Sequence, residues 1–526
     1  MHPINDPTSR IARRLALLAG LLGGCMVGPD YHSPKPAVPA QFLNPSAPAT
    51  TQTSATSAQP VEVAQWWHNF NDPELDSLIC RAVDANLDLR QATSRLRQAR
   101  AQRGIAGSAL YPQVDANGSY TRSGTGNGGT KSTTTKKGRV VTESTSTKSD
   151  FYIAGFDASW EIDVFGGERR GVENADANIA AAIEDRRDVL VTLLAEVATD
   201  YVALRQFQLE LAIAQQNLVS DQHIEALTRE KFGAGFAAQL DVAQAAAEVA
   251  ATQSEIPTLE TSARQEIYSL SILLDRPPGA LVQELSQTKP IPLTPPRVPI
   301  GLPSDLIFRR PDIRESDALF HAATANVGVA TAQLYPTFSL NGDLNVQSSK
   351  FDGLGNWANN VWQFGPSITW PIFTAGRIRA NIEVQNALEE QALLTYDQAV
   401  LTALSDVENA LVAYANEQQR RAALVDSVQY NRQALDLSTR LYNAGLTEFL
   451  NVLTAERSLY GAEDSLAQSQ GAVASDLAAL YKALGGGWEI DPDAPEYPPP
   501  PATQPSEAPA LINQAATQPP VTVPAH

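Results

Sequence analysis

Cysteine, aromatic side chains, positive charge and long apolar runs are all scarce in this chain, and each shortage removes a class of explanation. Two cysteines in 526 residues leave no disulfide framework. The formal net charge of −19 argues against a nucleic-acid partner, because phosphate backbones need a basic face, and the 7% aromatic content suits long helices packed closely along their length. Beyond the N-terminal region no run of about 18 apolar residues occurs, so no segment qualifies as a membrane-spanning helix. The six histidines (His2, His32, His68, His223, His321 and His526) are scattered and form no HExxH or other compact ligand pair. His223 falls on a long helical stretch as a solvated or interhelical residue, and no serine nucleophile elbow is found. Neither an enzyme nor a metal or cofactor site is expected. One GxGxxG match, Gly124, Gly126 and Gly129, opens a Ser/Thr/Lys tract instead of joining a strand to a helix, so it reads as a surface loop. Proline is missing from Gly171 to Ile256 and again from Gly376 to Leu484, which permits very long helices.

What is present is a duplication. Leu110-Tyr111-Pro112 recurs as Leu334-Tyr335-Pro336, and Asp88-Leu89-Arg90 as Asp312-Ile313-Arg314 at the same offset. At a slightly shorter offset, Trp160 matches Trp370, Phe232-Gly233-Ala234-Gly235 matches Tyr442-Asn443-Ala444-Gly445, and Leu240-Asp241-Val242 matches Leu450-Asn451-Val452. The change of offset falls between Pro112 and Trp160, where the first copy carries a longer loop. A large repeat fixes architecture before any local motif does. Each copy reads as helix, two strands, very long helix, tight turn, helix. In the first copy a helical pattern runs from Asp72 toward Leu110, with Pro73 suited to its first turn. Tyr111 to Thr121 and Phe151 to Glu161 read as strands, flanking the Gly/Ser/Thr/Lys tract Arg122 to Asp150 as an extracellular loop. In the second copy the strands are Pro336 to Val346 and Val361 to Trp370. Each has about the 9–11 residues that a tilted transmembrane strand needs. Four strands cannot close a barrel and open edges do not survive in lipid, whereas three chains would supply 12 strands.

The first long helix, Gly171 to Phe232, would be roughly 90 Å long at 1.5 Å per residue. Leu190, Val197, Leu204, Leu211 and Leu218 recur every seven residues, as do Val400, Val407, Tyr414, Arg421, Val428 and Leu435. Between them Leu194 and Tyr201 suit an interior stripe, whereas Gln208 and Gln215 do not. Gly235 and Gly445 supply backbone freedom for helix–helix turns. Ser304 or Asp305 can cap a helix start and Pro311 can begin the next helix, giving Arg309-Arg310-Pro311-Asp312 a structural role.

The N-terminus has an export pattern: Arg10, Arg13 and Arg14, then the short apolar stretch Leu15 to Leu22, then Leu22-Gly23-Gly24-Cys25, which resembles a bacterial lipobox. Cys25 is therefore the expected lipidation site, carrying N-palmitoyl and S-diacylglycerol groups. Met26, in place of aspartate, resembles sorting to the outer membrane. Cys80 is expected as a buried small apolar residue. The domain boundaries are a signal peptide 1–24, a lipidated tether 25–65, a first repeat 66–300, a second repeat 301–487, and a Pro-rich tail 488–526 expected to be disordered, with a proline-rich connector, Pro277 to Pro303, between the halves.

Gly301-Leu302-Pro303-Ser304-Asp305-Leu306 with Arg309-Arg310-Pro311-Asp312-Ile313 resembles the signature of outer-membrane factors of the NodT/OprM type, relatives of TolC. Val27-Gly28-Pro29-Asp30-Tyr31, Trp160-Glu161-Ile162-Asp163-Val164-Phe165-Gly166 and Ser405-Asp406-Val407-Glu408-Asn409-Ala410-Leu411 are similar to further patterns of that family, in order over roughly residues 10–487. The resemblance implies an α+β membrane protein: a TolC-like homotrimer, with a 12-stranded β-barrel in the outer membrane continuous with a long periplasmic α-barrel. It implies an exit duct of a tripartite efflux pump, fed by a periplasmic adaptor and an inner-membrane transporter of the RND type. It maps the adaptor-docking tips onto Ala234, Gly235, Phe236, Ala444, Gly445 and Leu446, and the periplasmic gate onto Tyr442, Leu450, Thr454 and Arg457. Some relatives carry an acidic residue where Thr454 stands and an arginine where Asn443 stands. The competing reading is a structural or adhesive coiled-coil lipoprotein without a pore, which explains the heptads but not the duplicated strand pairs.

Overall fold

The computed structural model describes residues 26–39, 41–43, 63–124, 130–134, 140–144, 148–295, 305–306 and 309–490. The signal region, Cys25, Ser304 and the tail beyond residue 490 lie outside them, as do Gly126 and Gly129. Gly124 ends a strand and the next described element is another strand, so no helix follows the glycine pattern.

The two copies have the same measure. The long helices α3 (Gly167–Gly233) and α6 (Arg377–Asn443) each have 67 residues, and their return helices α4 (Gln239–Leu273) and α7 (Phe449–Ala483) each have 35. Preceding them are α1 (Pro73–Ala85) and α2 (Leu87–Ser108) in the first copy and α5 (Pro311–Ala332) in the second. The single helix expected from Asp72 is in fact split at Asn86. That side chain accepts from the backbone N–H groups of Asp88 and Leu89, capping a new helix, and its amide donates to the Leu273 carbonyl. Pro311 occupies the first turn of α5, and Arg310 clasps Asp312, Asp406 and the Ala483 carbonyl, so the Arg-Arg-Pro-Asp segment is structural as expected.

One four-stranded antiparallel sheet combines both copies in the order β1 (Gln113–Gly124), β4 (Lys148–Ile162), β5 (Thr337–Ser348), β6 (Asn360–Thr369). The repeat is visible in one hydrogen bond made twice: Trp160 Nε1 donates to the Leu110 carbonyl at 3.0 Å and Trp370 Nε1 to the Leu334 carbonyl at 3.1 Å. Within the tract expected to be a plain loop, β2 (Thr130–Thr134) and β3 (Val140–Ser144) form a separate two-stranded hairpin. Its Thr-rich and Val-rich runs have strand-forming residues where the tract's overall composition indicates only a coil.

The main core lies where α1, α3, α4 and α7 meet, and includes Trp66, Phe70, Ile79, Leu190, Leu194, Tyr201, Leu477 and Tyr481. Leu190, Val197 and Leu204 are buried, as are Leu194 and Tyr201, whereas Leu211 and Leu218 are only half-buried and Arg421 is exposed. Gln208 corrects the sequence expectation: it is interior, because its amide donates to the Leu285 carbonyl and its oxygen accepts from Arg205. Cys80 also corrects it, being exposed on α1. His223 is exposed.

Residues 26–39 and 41–43 are not a free tether. Val27 N–H donates to the Phe165 carbonyl, and the Arg170 guanidinium, itself buried, bonds the Val27 carbonyl, Asp30 and Glu173. Tyr31 donates to Asp317 and stacks on His321, while Phe42 enters the main core. This strap lies so close that a Cβ on Gly28 (φ +92°) would sit 2.5 Å from the Gly328 Cα. Gly28→Val is expected to undock it. Strain of about 1–3 kcal/mol at such a position corresponds to a roughly 5- to 150-fold loss of local protection. Limited proteolysis around Tyr31 measures it, and cleavage at the wild-type rate would count against the tight approach.

Candidate functional site at the two helical turns

Both interhelical turns are built the same way. In the first, Gly235 (φ +80°) donates to the Phe232 carbonyl at 2.9 Å and Phe236 N–H to the Lys231 carbonyl at 2.8 Å. In the second, Gly445 (φ +74°) donates to Tyr442 at 3.0 Å and Leu446 to Leu441 at 2.9 Å. These nested bonds satisfy the last carbonyls of α3 and α6, and the left-handed glycine makes them possible. Ala234 and Ala444 continue the helical backbone just before each glycine. Phe236 (84% exposed) and Leu446 (74% exposed) project outward, two large apolar side chains in water at matching positions.

Lys231, which sequence reasoning missed, ties the two turns together. Its Nζ donates to the Tyr442 carbonyl at 3.0 Å and lies 3.9 Å from the centre of the Tyr442 ring. Burial lowers the Lys231 pKa. Nothing in its local pattern separates it from a surface lysine. Tyr442 itself lies within the turn. Its ring is buried against Phe449, with Ala245, Val452 and Leu453 in the same cluster, so it supports the turn from within. Leu450 and Thr454 are exposed on one side of α7, with the Thr454 hydroxyl donating to the Leu450 carbonyl. Arg457 turns toward α4, where its Nη2 and Nε reach the Glu248 carboxylate at 2.6 and 2.9 Å. Its pKa is raised by that hydrogen bond. The structure thus brings Arg457 to an ion pair between hairpins and leaves Leu450 and Thr454 on the open face.

Behind that ion pair sits a second group not foreseen from the sequence. Asp221 of α3 and Glu456 of α7 are 2% and 1% exposed. The Tyr460 hydroxyl lies 2.9 Å from Asp221 Oδ1 and 3.1 Å from Glu456 Oε1, and the Thr252 hydroxyl of α4 donates to Asp221 Oδ2 at 2.6 Å. Burial, then the neighbouring Asp221, pushes the Glu456 carboxyl up to about 8. A cleft of about 360 Å³, lined by Glu210, Glu248, Thr252, Tyr460 and Asp464 among others, adjoins the pair. Among the described residues no group of three His, Cys, Asp or Glu side chains is placed to hold a metal.

Duplicated hairpins, a four-stranded sheet and glycine turns are a family architecture, and the comparison with known sequences decides which. The family model described as outer membrane efflux protein matches residues 78–274 and 302–486, one segment in each copy. The chain belongs to that family. Nodulation protein T of Rhizobium leguminosarum bv. trifolii is 34% identical over 473 residues, spanning 89% of this chain and 96% of that protein. The pyoverdine export outer membrane protein OpmQ of Pseudomonas putida is 36% identical over 462 residues, spanning 87% of this chain and 95% of its own length. Among solved structures, the outer-membrane channel OprN superposes with a TM-score of 0.78 at 35% identity, covering 88% of this chain and all of OprN. This outer membrane efflux protein is a NodT/OprM-type outer-membrane factor with a TolC-like fold, and it serves as the exit duct of an efflux system. Its family and its structural neighbours are channels, not enzymes.

Proposed function

We propose that three copies of this outer membrane efflux protein close one continuous conduit, a 12-stranded barrel in the outer membrane that opens into a helical tube reaching across the periplasm. Small molecules delivered by an inner-membrane transporter of the RND type pass through it without chemical change. The observation that carries this reading is the sheet with two unpaired edges. β1 and β6 pair on one side only, which lipid does not tolerate, and a partner strand removes the cost. The faces agree. In β5, Thr337, Ser339, Asn341, Asp343, Asn345 and Gln347 alternate with Phe338, Leu340, Leu344 and Val346, a water face and a lipid face. Asp115, Asp157 and Asp343 lie side by side on the polar face, from which the duct would present negative charge to its contents.

The repeat predicts the seam between copies. Within the chain β4 pairs with β5, Trp160 opposite Leu340 and Asp157 opposite Asp343. β6 is the repeat image of β4, and β1 that of β5. Carrying the offsets across places Trp370 opposite the partner's Ala116, and Ser367 opposite the partner's Ser119. Facing residues on antiparallel strands have Cβ atoms about 4.5–5.5 Å apart. A Ser119→Cys, Ser367→Cys variant is therefore expected to run as a covalent trimer after oxidation. Pairing Ser367→Cys with Thr121→Cys, two residues out of register, should cross-link far less. Monomers from both variants would remove the seam and with it the closed barrel.

At the far end, Phe236 and Leu446 with their glycine turns give six level projections per trimer for a periplasmic adaptor, and Leu450, Thr454 and Arg457 sit where the duct narrows. Lipid on Cys25, one residue before the docked Met26, adds an anchor in the outer membrane to the barrel's own apolar band.

A further inference from the structure

We propose that Asp221 and Glu456 form a proton-operated latch between the α3–α4 hairpin and α7, shut while the two carboxyls share a proton and released when that proton leaves. This rests on the exit-duct reading and adds regulation to its narrow end.

The argument is a count of hydrogens. Four carboxylate oxygens meet two hydroxyl donors in a place that water barely reaches. The Thr252 hydroxyl is committed to Asp221. Tyr460 has a single hydroxyl hydrogen and lies within bonding distance of both Asp221 and Glu456, so it can satisfy one of them at a time. Two buried carboxylates side by side then require a further proton between them. The surroundings supply little relief: Arg457 feels Glu456 only weakly beside its hydrogen bond to Glu248. Arg457, the cation at this level, is engaged by Glu248 of α4. Glu210 of α3 and Asp464 of α7 line the adjoining cleft and add negative charge, and burial raises both of their pKa values. From α6 come the apolar Val428 and Leu435, and Arg432, whose guanidinium is engaged by Glu463 of α7 at 2.5 Å. The groups that share the proton come from both copies of the duplication, Asp221 and its Thr252 partner from the first and Glu456 and Tyr460 from the second. Separating the hairpins would expose the pair to the cleft.

The direction follows from linkage. The latched state holds the proton up to about pH 8, whereas a wetted Glu456 returns toward the ordinary value of 4.5. Latching is therefore fully favoured below about pH 4.5 and weakens as pH rises through that window, by about tenfold per protomer for each pH unit. Above about pH 8 no further change comes from this group.

Spin labels at Ala251→Cys and Ser458→Cys, in a Cys80→Ser background of the full-length trimer, test it by distance measurement between pH 6 and 9. The expected result is a longer-distance population that grows about tenfold per pH unit and levels off near pH 8. Glu456→Gln, which keeps a hydrogen on the side chain at every pH, should stay at the short distance throughout. Tyr460→Phe leaves the carboxyl pair in place and should keep the pH response with its midpoint moved upward, and it serves if Glu456→Gln yields no trimer. A wild-type distribution that does not change with pH, or a Glu456→Gln distribution that follows the wild type, overturns the latch. Distances that shift in trimers that conduct nothing in planar bilayers would instead count against the duct.

Discussion

Arg205→Ala is expected to leave little folded protein. Arg205 is fully buried, and four groups converge on it: the Glu74 carboxylate, Gln208 Oε1 at 2.6 Å, the Gln287 carbonyl at 2.9 Å and the Tyr201 ring 4.7 Å below its guanidinium. These groups belong to α1, α3 and the connector between the copies, so one side chain holds three elements in the core. Its removal leaves Glu74 with the half-exposed Lys289 and a long bond from the Tyr201 hydroxyl, and strips Gln208 and the Gln287 carbonyl of a donor. Breaking a buried pair from one side costs about 3–5 kcal/mol, against a total stability of about 5–15 kcal/mol for an ordinary domain. Arg205→Lys keeps charge but not the planar fork, and should fall between. Denaturant melts of purified protein and trimer yield on gels measure both. An Arg205→Ala variant with wild-type midpoint and yield would mean that the network is not needed.

The second large effect is on transport with folding left intact. Gly445 sits at φ +74°, and proline is held near −65°, so Gly445→Pro cannot adopt the turn and also loses the hydrogen bond to the Tyr442 carbonyl. The clusters around Val428 and Leu459, and the main core farther up α7, do not depend on that glycine. Trimers are expected at normal abundance, with export reduced to the level of a strain lacking the protein. Gly445→Ala meets only the left-handed penalty of about 1–2 kcal/mol and should keep partial export. Dye accumulation in cells, read beside trimer levels, separates the outcomes. Full export by Gly445→Pro would free the tip of any functional role.

Much of this was legible because it is local or repeated. Period two in the strands, the lack of proline in the long helices and the glycine pair all act over a few residues, and duplication checked each against its copy. What escaped depends on distant partners. Asn86 resembles any helical asparagine until Leu273 arrives to accept its amide. Gln208 breaks an apolar stripe until Arg205 and the Leu285 carbonyl make its place interior. Tyr442 is seven residues C-terminal to Leu435 and could have faced either way, and burial against Phe449 settles it. Asp221 and Glu456 are separated by most of the second copy, so no spacing rule joins them. The segment after Cys25 has a spacer's composition, yet Gly28 packs against Gly328 because two missing side chains let backbones meet.

That packing decides where mechanical load travels. A Cβ on Gly166 would touch Met26, and Val27 bonds the Phe165 carbonyl at the junction of β4 with α3. A lipid on Cys25 would hang one peptide bond from this clamp. Any tug from drift of the bilayer would then enter the barrel rim directly and stop there, as at a cable's strain relief, before it reached Phe42 in the core.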